Sequence, residues 1–189
     1  MTSTPLRHSD FRQRISWRDV ERSPNFQALL RICLEEDLQP KVKHSPWSND
    51  LTSEICNLHG TGSAQVICRE SAVICGIQLP QLLIQTFSCD QIEFHSDFED
   101  GMRCESGHPI GTITGSITQI LAIERTLLNF IQRLSGIATR SADFVKILEP
   151  HGVGLLDTRK TTPGLRILEK FATACGGSFN HRMGLFDRV

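Results

Sequence analysis

The run Asp157-Thr158-Arg159-Lys160-Thr161-Thr162 combines the side chains that grip anions. A guanidinium offers paired donors to a carboxylate or phosphate, an ammonium adds a compact charge, and threonine hydroxyls add uncharged donors. The run follows the apolar stretch Val153-Gly154-Leu155-Leu156, whose lack of alternation predicts a parallel strand buried on both faces. Ligand loops of α/β folds sit at the C-terminal ends of such strands, so position and composition together predict a polyanion site. A solvated basic loop is the plain alternative. Asn180-His181-Arg182 is a second candidate, in which His181 reads as a proton carrier, a neutral donor or a structural histidine, with Arg182 equally open. A strand expected over 183–189 puts these residues at its N-terminal edge unless it starts earlier. Arg125, Asn129 and Gln132 recur at i, i+4 and i+7, a polar stripe on an apolar helix. Such a stripe serves either an internal ion pair, for instance with Glu124, or a guanidinium offered across a subunit interface to a ligand carboxylate.

Elements that must position these residues follow from pattern. Residues 1–22 are polar and Arg-rich and are expected to form a flexible arm. Ser23 caps a helix with Pro24 at its first position, Phe26, Leu29, Leu30, Cys33 and Leu34 on its apolar face, and Glu35-Glu36-Asp37 at its end. A long loop over 39–49 leads to Asp50-Leu51-Thr52. Two short strands, 64–68 and 72–76, are expected to turn near Arg69-Glu70-Ser71, with a helix over 80–87 and strands over 91–95, 102–105 and 110–115. From Ile117 a stripe of Ile120, Ile123, Leu127, Ile131 and Leu134 marks a helix buried on much of its circumference, broken at Ser135-Gly136 and resumed as far as Pro150. Beyond the 153–156 strand, Pro163 opens a helix with Leu165, Leu168, Phe171 and Ala172 on one face and Gly176-Gly177 at its end. The expected fold is an α+β N-terminal domain, a small antiparallel sheet with helices, over 23–128. The opening strands and helices of an incomplete α/β barrel follow over 129–189.

Twenty Lys and Arg against twenty-one Asp and Glu give no overall charge that would call for nucleic acid or an anionic membrane. Seven cysteines, odd in number and never in a Cys-x-x-Cys pair, suit reduced thiols of a cytoplasmic protein and predict no metal site. No apolar run is long enough to span a membrane, and the first ten residues lack a signal peptide's apolar core. His59, His95, His108, Trp17 and Trp47 form no constellation and read as core or surface residues. A Ser-His-Asp order, a Walker loop and a Gly-x-Gly-x-x-Gly fingerprint are all missing, which disfavours hydrolase, P-loop and Rossmann readings.

Three stretches carry a family resemblance. Glu124-Arg125-Thr126-Leu127-Leu128-Asn129-Phe130, continued by Gln132-Arg133-Leu134-Ser135-Gly136-Ile137-Ala138-Thr139, resembles the junction helix of quinolinate phosphoribosyltransferases. The run from Asp157 through Pro163-Gly164-Leu165-Arg166, and Gly176-Gly177 through Asn180-His181-Arg182-Met183-Gly184-Leu185, match the same family in the same order. The resemblance implies phosphoribosyl transfer from phosphoribosyl pyrophosphate to quinolinate, with loss of carbon dioxide and pyrophosphate, giving nicotinate mononucleotide for NAD synthesis. It implies substrate-binding roles for Thr158, Arg159, Lys160, His181 and Arg182, catalytic roles for Lys160 and His181, and a homodimer or larger assembly in which Arg125 reaches the neighbouring site. Mg2+ accompanies the pyrophosphate in such enzymes.

The likeness is strong from about Gly101 onward and weaker over 26–100. Family members continue into further barrel strands, with another lysine and the acidic residues that serve Mg2+ and the ribose. The chain is therefore expected to be truncated, with those acidic ligands beyond residue 189, and to be inactive or nearly so by itself. A related phosphoribosyltransferase with another substrate and a non-catalytic remnant that only dimerises or binds substrate are the competing readings.

Overall fold

The computed structural model describes residues 13–39 and 50–187. Residues 1–12 of the expected arm, residues 40–49 of the expected loop and Trp47 lie outside them.

The described part of the expected arm is not loose. Helix α1 (Trp17–Glu21) buries Val20 completely, and Trp17 packs edge-on against Phe26 at 6.1 Å and Phe171 at 5.6 Å. Ile15, Trp17 and Val20 remove apolar surface from water, and Arg14 holds the segment as well, donating to the Ser178 and Gly177 carbonyls and lying over the Phe179 ring at 4.7 Å. Helix α2 (Pro24–Leu38) starts as its sequence dictates, with Pro24 at its first turn and the Ser23 hydroxyl accepting from the Phe26 amide. Helix α3 (Leu51–Ile55) is capped by Asp50, whose carboxylate accepts from the amides of Thr52 and Ser53.

Strands β1 (Thr61–Ile67) and β2 (Ala72–Val73), helix α4 (Leu79–Thr86), and strands β3 (Ile92–His95), β4 (Arg103–Cys104) and β5 (Pro109–Ser116) follow. They stand within a few residues of the expected elements, but the pairing differs. β1 and β2 do not form a hairpin: β1 lies antiparallel to β5 in a three-stranded sheet of order β1-β5-β3, and β2 pairs with β4 in a second sheet. The connector explains why. Cys68 donates its amide to the His108 carbonyl at 2.9 Å and accepts from the Gly107 amide at 2.7 Å, so the chain stays bonded to the β5 approach instead of turning back on itself.

Helix α5 (Ile117–Leu148) runs unbroken for 32 residues, correcting the break expected at Ser135-Gly136. Glycine in a helix interior costs about 1 kcal/mol relative to alanine. The tertiary structure outweighs that cost: the Ser135 hydroxyl accepts from the Cys75 amide at 3.0 Å, the Thr139 hydroxyl accepts from the Val73 amide at 2.8 Å, and Leu134 and Ala138 are buried on either side. The Arg125, Asn129 and Gln132 stripe faces solvent.

A 3-10 turn over Glu149–His151 ends at left-handed Gly152. The expected 153–156 strand contributes one parallel bridge, Leu156 to Phe179, flanked by hydrogen bonds from the Phe179 amide to the Leu155 carbonyl and from the Asp157 amide to the Phe179 carbonyl. It is not buried on both faces, since Val153 is 52% and Leu156 41% exposed, and among the described residues no third strand covers its free edge. Helix α6 (Arg166–Cys175) starts three residues after Pro163 and packs Leu168, Phe171 and Ala172 inward near α5. The strand expected over 183–189 is absent as far as Asp187. Its partner role falls to Phe179, and the amides of Met183 and Gly184 turn onto the Asp187 carboxylate. The result is an α+β region followed by a parallel strand-helix-strand unit.

Candidate active site

Because Leu156 and Phe179 pair in parallel, the residues after each leave the same edge. Thr158, Arg159 and Lys160 therefore emerge beside His181 and Arg182, and the earlier start of the second strand removes the expectation that His181 sits at an N-terminal edge. Parallel pairing thus brings the two sequence candidates together, at the strand edge where α/β folds bind ligands.

Each loop is anchored from behind. The Thr158 hydroxyl accepts from the Lys160 amide at 3.0 Å, and the Arg159 carbonyl accepts from the Thr161 amide. Arg166, in the first turn of α6, donates to the Thr161 hydroxyl at 3.1 Å and to the Met183 carbonyl at 3.0 Å, bridging the two loops. Arg133 of α5 donates to the Thr162 hydroxyl and to Glu169, whose other oxygen accepts from the Thr162 amide. Burial alone would raise the Glu169 carboxyl, but the bonds from Arg133 and Thr162 outweigh it and hold the carboxyl below its ordinary value.

Asp157, counted in sequence with the basic run, turns inward. Its carboxylate meets Lys170 at 2.6 Å, with side-chain exposures of 3% and 1%, and it also accepts from Asn180 Nδ2 and the His181 amide. The one carboxylate of the run is thereby neutralised inside the protein, while Thr158 and Lys160 are exposed at the edge. Arg159 is partly buried, and its Nε is buried without a hydrogen-bond partner among the described residues. A buried donor left unpaired costs about 1–3 kcal/mol, which an incoming carboxylate or phosphate oxygen would recover.

Arg125 stands apart from this edge, on the exposed face of α5, with its side chain 80% exposed and 3.8 Å from Glu124. At that exposure the contact contributes little and leaves the guanidinium available. Below it, Asn129, Gln132, Gly136 and Arg140 continue the same exposed face.

Sequence reasoning missed Arg133, Glu169 and Lys170 as members of the site's support, and it singled out Asn180 without foreseeing that its side chain turns inward onto Asp157 and Lys170. Spacing carried no warning that Lys170 would be buried; the available signal was Asp157, a lone carboxylate closing an apolar strand, which needs a buried cation. No helix among the described residues is long and apolar enough to cross a membrane.

The chain matches the quinolinate phosphoribosyl transferase N-terminal domain over residues 50–135 and the C-terminal domain of the same family over 137–189. It is 36% identical over 160 residues to the nicotinate-nucleotide pyrophosphorylase [carboxylating] of Mycobacterium leprae, covering 84% of this chain and 54% of that protein. A probable enzyme of the same name from Synechocystis sp. is 33% identical over 158 residues, covering 84% and 53%. The solved nicotinate-nucleotide pyrophosphorylase from Francisella tularensis superposes with a TM-score of 0.77 at 36% identity, covering 89% of this chain and 57% of that one. The chain thus spans about half the length of these relatives, and both strand-end loops lie inside the second matched segment. By its two matched domains and the fold they share with a solved relative, the chain belongs to the quinolinate phosphoribosyltransferase family.

Proposed function

We propose that this polypeptide serves phosphoribosyl transfer from phosphoribosyl pyrophosphate to quinolinate, and that its 189 residues supply the basic, carboxylate-binding side of that site. The observation that carries this reading is the convergence of two strand-end loops, with the Arg159 Nε buried and unpaired among the described residues. In the reaction, the pyridine nitrogen bonds to the ribose C1′ as the C1′–oxygen bond to pyrophosphate breaks. The carboxylate beside the nitrogen leaves as carbon dioxide, and its electron pair stays on the ring carbon, which takes up a proton. Two carboxylates and a pyrophosphate must be held together, and Arg and Lys at close quarters offset their charge.

Within this reading Arg159 takes a carboxylate through paired donors, Lys160 and Arg182 add charge, and Thr158 adds a hydroxyl. His181 holds the carboxylate that stays or stabilises charge as carbon dioxide leaves, and Lys160 faces the developing negative charge of the leaving group. Arg125, exposed on α5, reaches the site of a second copy in a homodimer. Mg2+ would accompany the pyrophosphate. Among the described residues no group of three His, Cys, Asp or Glu side chains is placed to hold a metal ion, so the residues present do not fit that role and no step is assigned through it.

Calorimetry with the full chain tests the reading. Quinolinate is expected to bind at least about tenfold more tightly than nicotinate, since a second carboxylate adds a charge-assisted contact of about 1.5–3 kcal/mol. Arg159→Met should abolish the difference. Equal binding of the two acids, or quinolinate binding that survives Arg159→Met, would overturn it.

A further inference from the structure

The buried Asp157–Lys170 pair does more than join a strand end to α6. Asp157 Oδ1 accepts from Lys170 Nζ at 2.6 Å and from the His181 amide at 2.7 Å, while Lys170 Nζ also donates to the His181 carbonyl at 3.1 Å. Both backbone polar groups of His181 are therefore held by opposite ends of one ion pair. The preceding residue is held too: Asn180 Nδ2 donates to Asp157 Oδ2 at 2.7 Å and to the Lys170 carbonyl at 2.8 Å, and Asn180 Oδ1 accepts from the Ile15 amide at 2.6 Å.

We propose that the Asp157–Lys170 pair is a positioning device for His181, fixing its backbone from both sides so that its imidazole stands in register with the Arg159 loop. The proposal rests on the reading above in which His181 and Arg159 share one bound dicarboxylate. A well-packed apolar pair in the same space is often as stable as a buried ion pair, so stability alone does not account for these charges. What the charges supply is geometry. Asp157 is the residue just before Thr158 and Arg159, so the side chain that ends the first strand sets the loop that follows the second. A catalytic group displaced by about 1 Å can lose about a hundredfold in rate, which is the scale of error such a clamp prevents.

The test uses the full chain, unmodified and as Lys170→Met, the double variant Asp157→Asn with Lys170→Met, and Thr173→Val. Thr173 touches Asp157 Oδ2 at 3.5 Å, donates to the Lys170 carbonyl at 2.8 Å and accepts from Asn180 Nδ2 at 3.4 Å, and none of these three contacts is to the His181 backbone. Four quantities are read: the thermal midpoint, the His181 amide exchange rate and ring resonance by NMR, and quinolinate affinity by calorimetry. Lys170→Met leaves a buried carboxylate unpaired and lowers the midpoint. The double variant removes that charge and regains most of the midpoint, yet its His181 amide exchanges at least about tenfold faster, its ring resonance moves, and quinolinate affinity falls about tenfold or more. Thr173→Val lowers the midpoint and leaves the His181 signals in place. A double variant with His181 exchange, resonance and affinity all unchanged overturns the proposal. So does a His181 amide that exchanges at an open-loop rate in the unmodified chain, a measurement that needs no variant to fold. If the unmodified chain fails to bind quinolinate while the double variant still displaces His181, the dicarboxylate reading falls and the clamp stands.

Discussion

Gly176, directly after α6, lies close against α5, and Gly176→Ala is a demanding test of that packing. A Cβ built there would overlap the Ala138 carbonyl oxygen and lie 2.6 Å from Ser141 Cβ and 3.0 Å from the Ala142 amide nitrogen, all on α5. Carbon contacts are comfortable at about 3.5–4.0 Å, so α6 must retreat by about 1 Å. The obstacle is mostly helix backbone and cannot swing aside like a side-chain tip. Overpacking of this kind costs about 1–3 kcal/mol. The φ of −76° at Gly176 suits any residue, so alanine should recover about 0.4–1 kcal/mol by restricting the unfolded chain. The net expectation is a loss of about 1–2 kcal/mol, which at a urea m-value of about 2 kcal/mol/M lowers the unfolding midpoint by about 0.5–1 M. Gly136→Ala is the control. Gly136 lies inside α5, and an alanine methyl placed there would meet nothing within 4 Å, so the substitution should raise stability by about 0.5–1 kcal/mol. Urea melts of the two variants must therefore move in opposite directions. A Gly176→Ala midpoint at or above that of the unmodified chain would refute the close approach of α6 to α5.

Glu169→Gln should destabilise the chain at pH 7. Because the folded carboxyl sits below its ordinary 4.5, its stabilisation is present above that value and is lost as pH falls through the folded pKa. Urea melts between pH 7 and pH 3 should show the gap to the unmodified chain closing only below about 4.5, and a constant gap would mean that the Arg133 and Thr162 contacts are not what Glu169 contributes. Timed alkylation read by mass spectrometry should label exposed Cys56 first and leave Cys75 and Cys89 until the chain unfolds. Burial, with Asp90 nearby, pushes the Cys89 thiol up to about 12, and the Cys175 contact together with burial raises Cys75 well above the usual range. Early labelling of either would contradict their enclosure. Trp17→Ala should cost about 2–3 kcal/mol, below the range for a fully buried tryptophan because this one is half-buried, and should speed tryptic cleavage at Arg14. An unchanged melt with unchanged cleavage would restore the loose-arm expectation for residues 13–22.

Local pattern locates elements better than it locates partners. The Ser23-Pro24 cap, the helix at Pro80 and the strand ending in Gly115-Ser116 are announced by residues that act on their own backbone, and each stands close to its expected place. Pairing is set by distant groups: Cys68 bonds to Gly107 and His108, some forty residues on, and no local signal distinguishes that from a turn at Arg69-Glu70-Ser71. Ser135-Gly136 misleads for the same reason, since the hydrogen bond that Ser135 accepts from Cys75 crosses 60 residues. At the site, the cations Arg159 and Lys160 and the second loop at His181 are legible because chemistry of that kind must face outward at a strand end. Their support is not. Lys170 and Glu169 look like surface charges on an amphipathic helix until the fold buries both, and only Asp157 hints at a buried cation.

The unbroken α5 helix also decides where this molecule can be divided. At 32 residues it is about 48 Å long, and it lends one stretch of side chains to the sheet region and another to α6. Two halves that share a single continuous helix have no linker about which to rotate, so the strand-end edge, where Thr158 and Lys160 are exposed, keeps its place relative to the sheet region. Any attempt to separate the halves, by proteolysis, circular permutation or expression as fragments, has to spare residues 117–148. The exposed turn at Gly152, just past the end of the helix, is the place to cut.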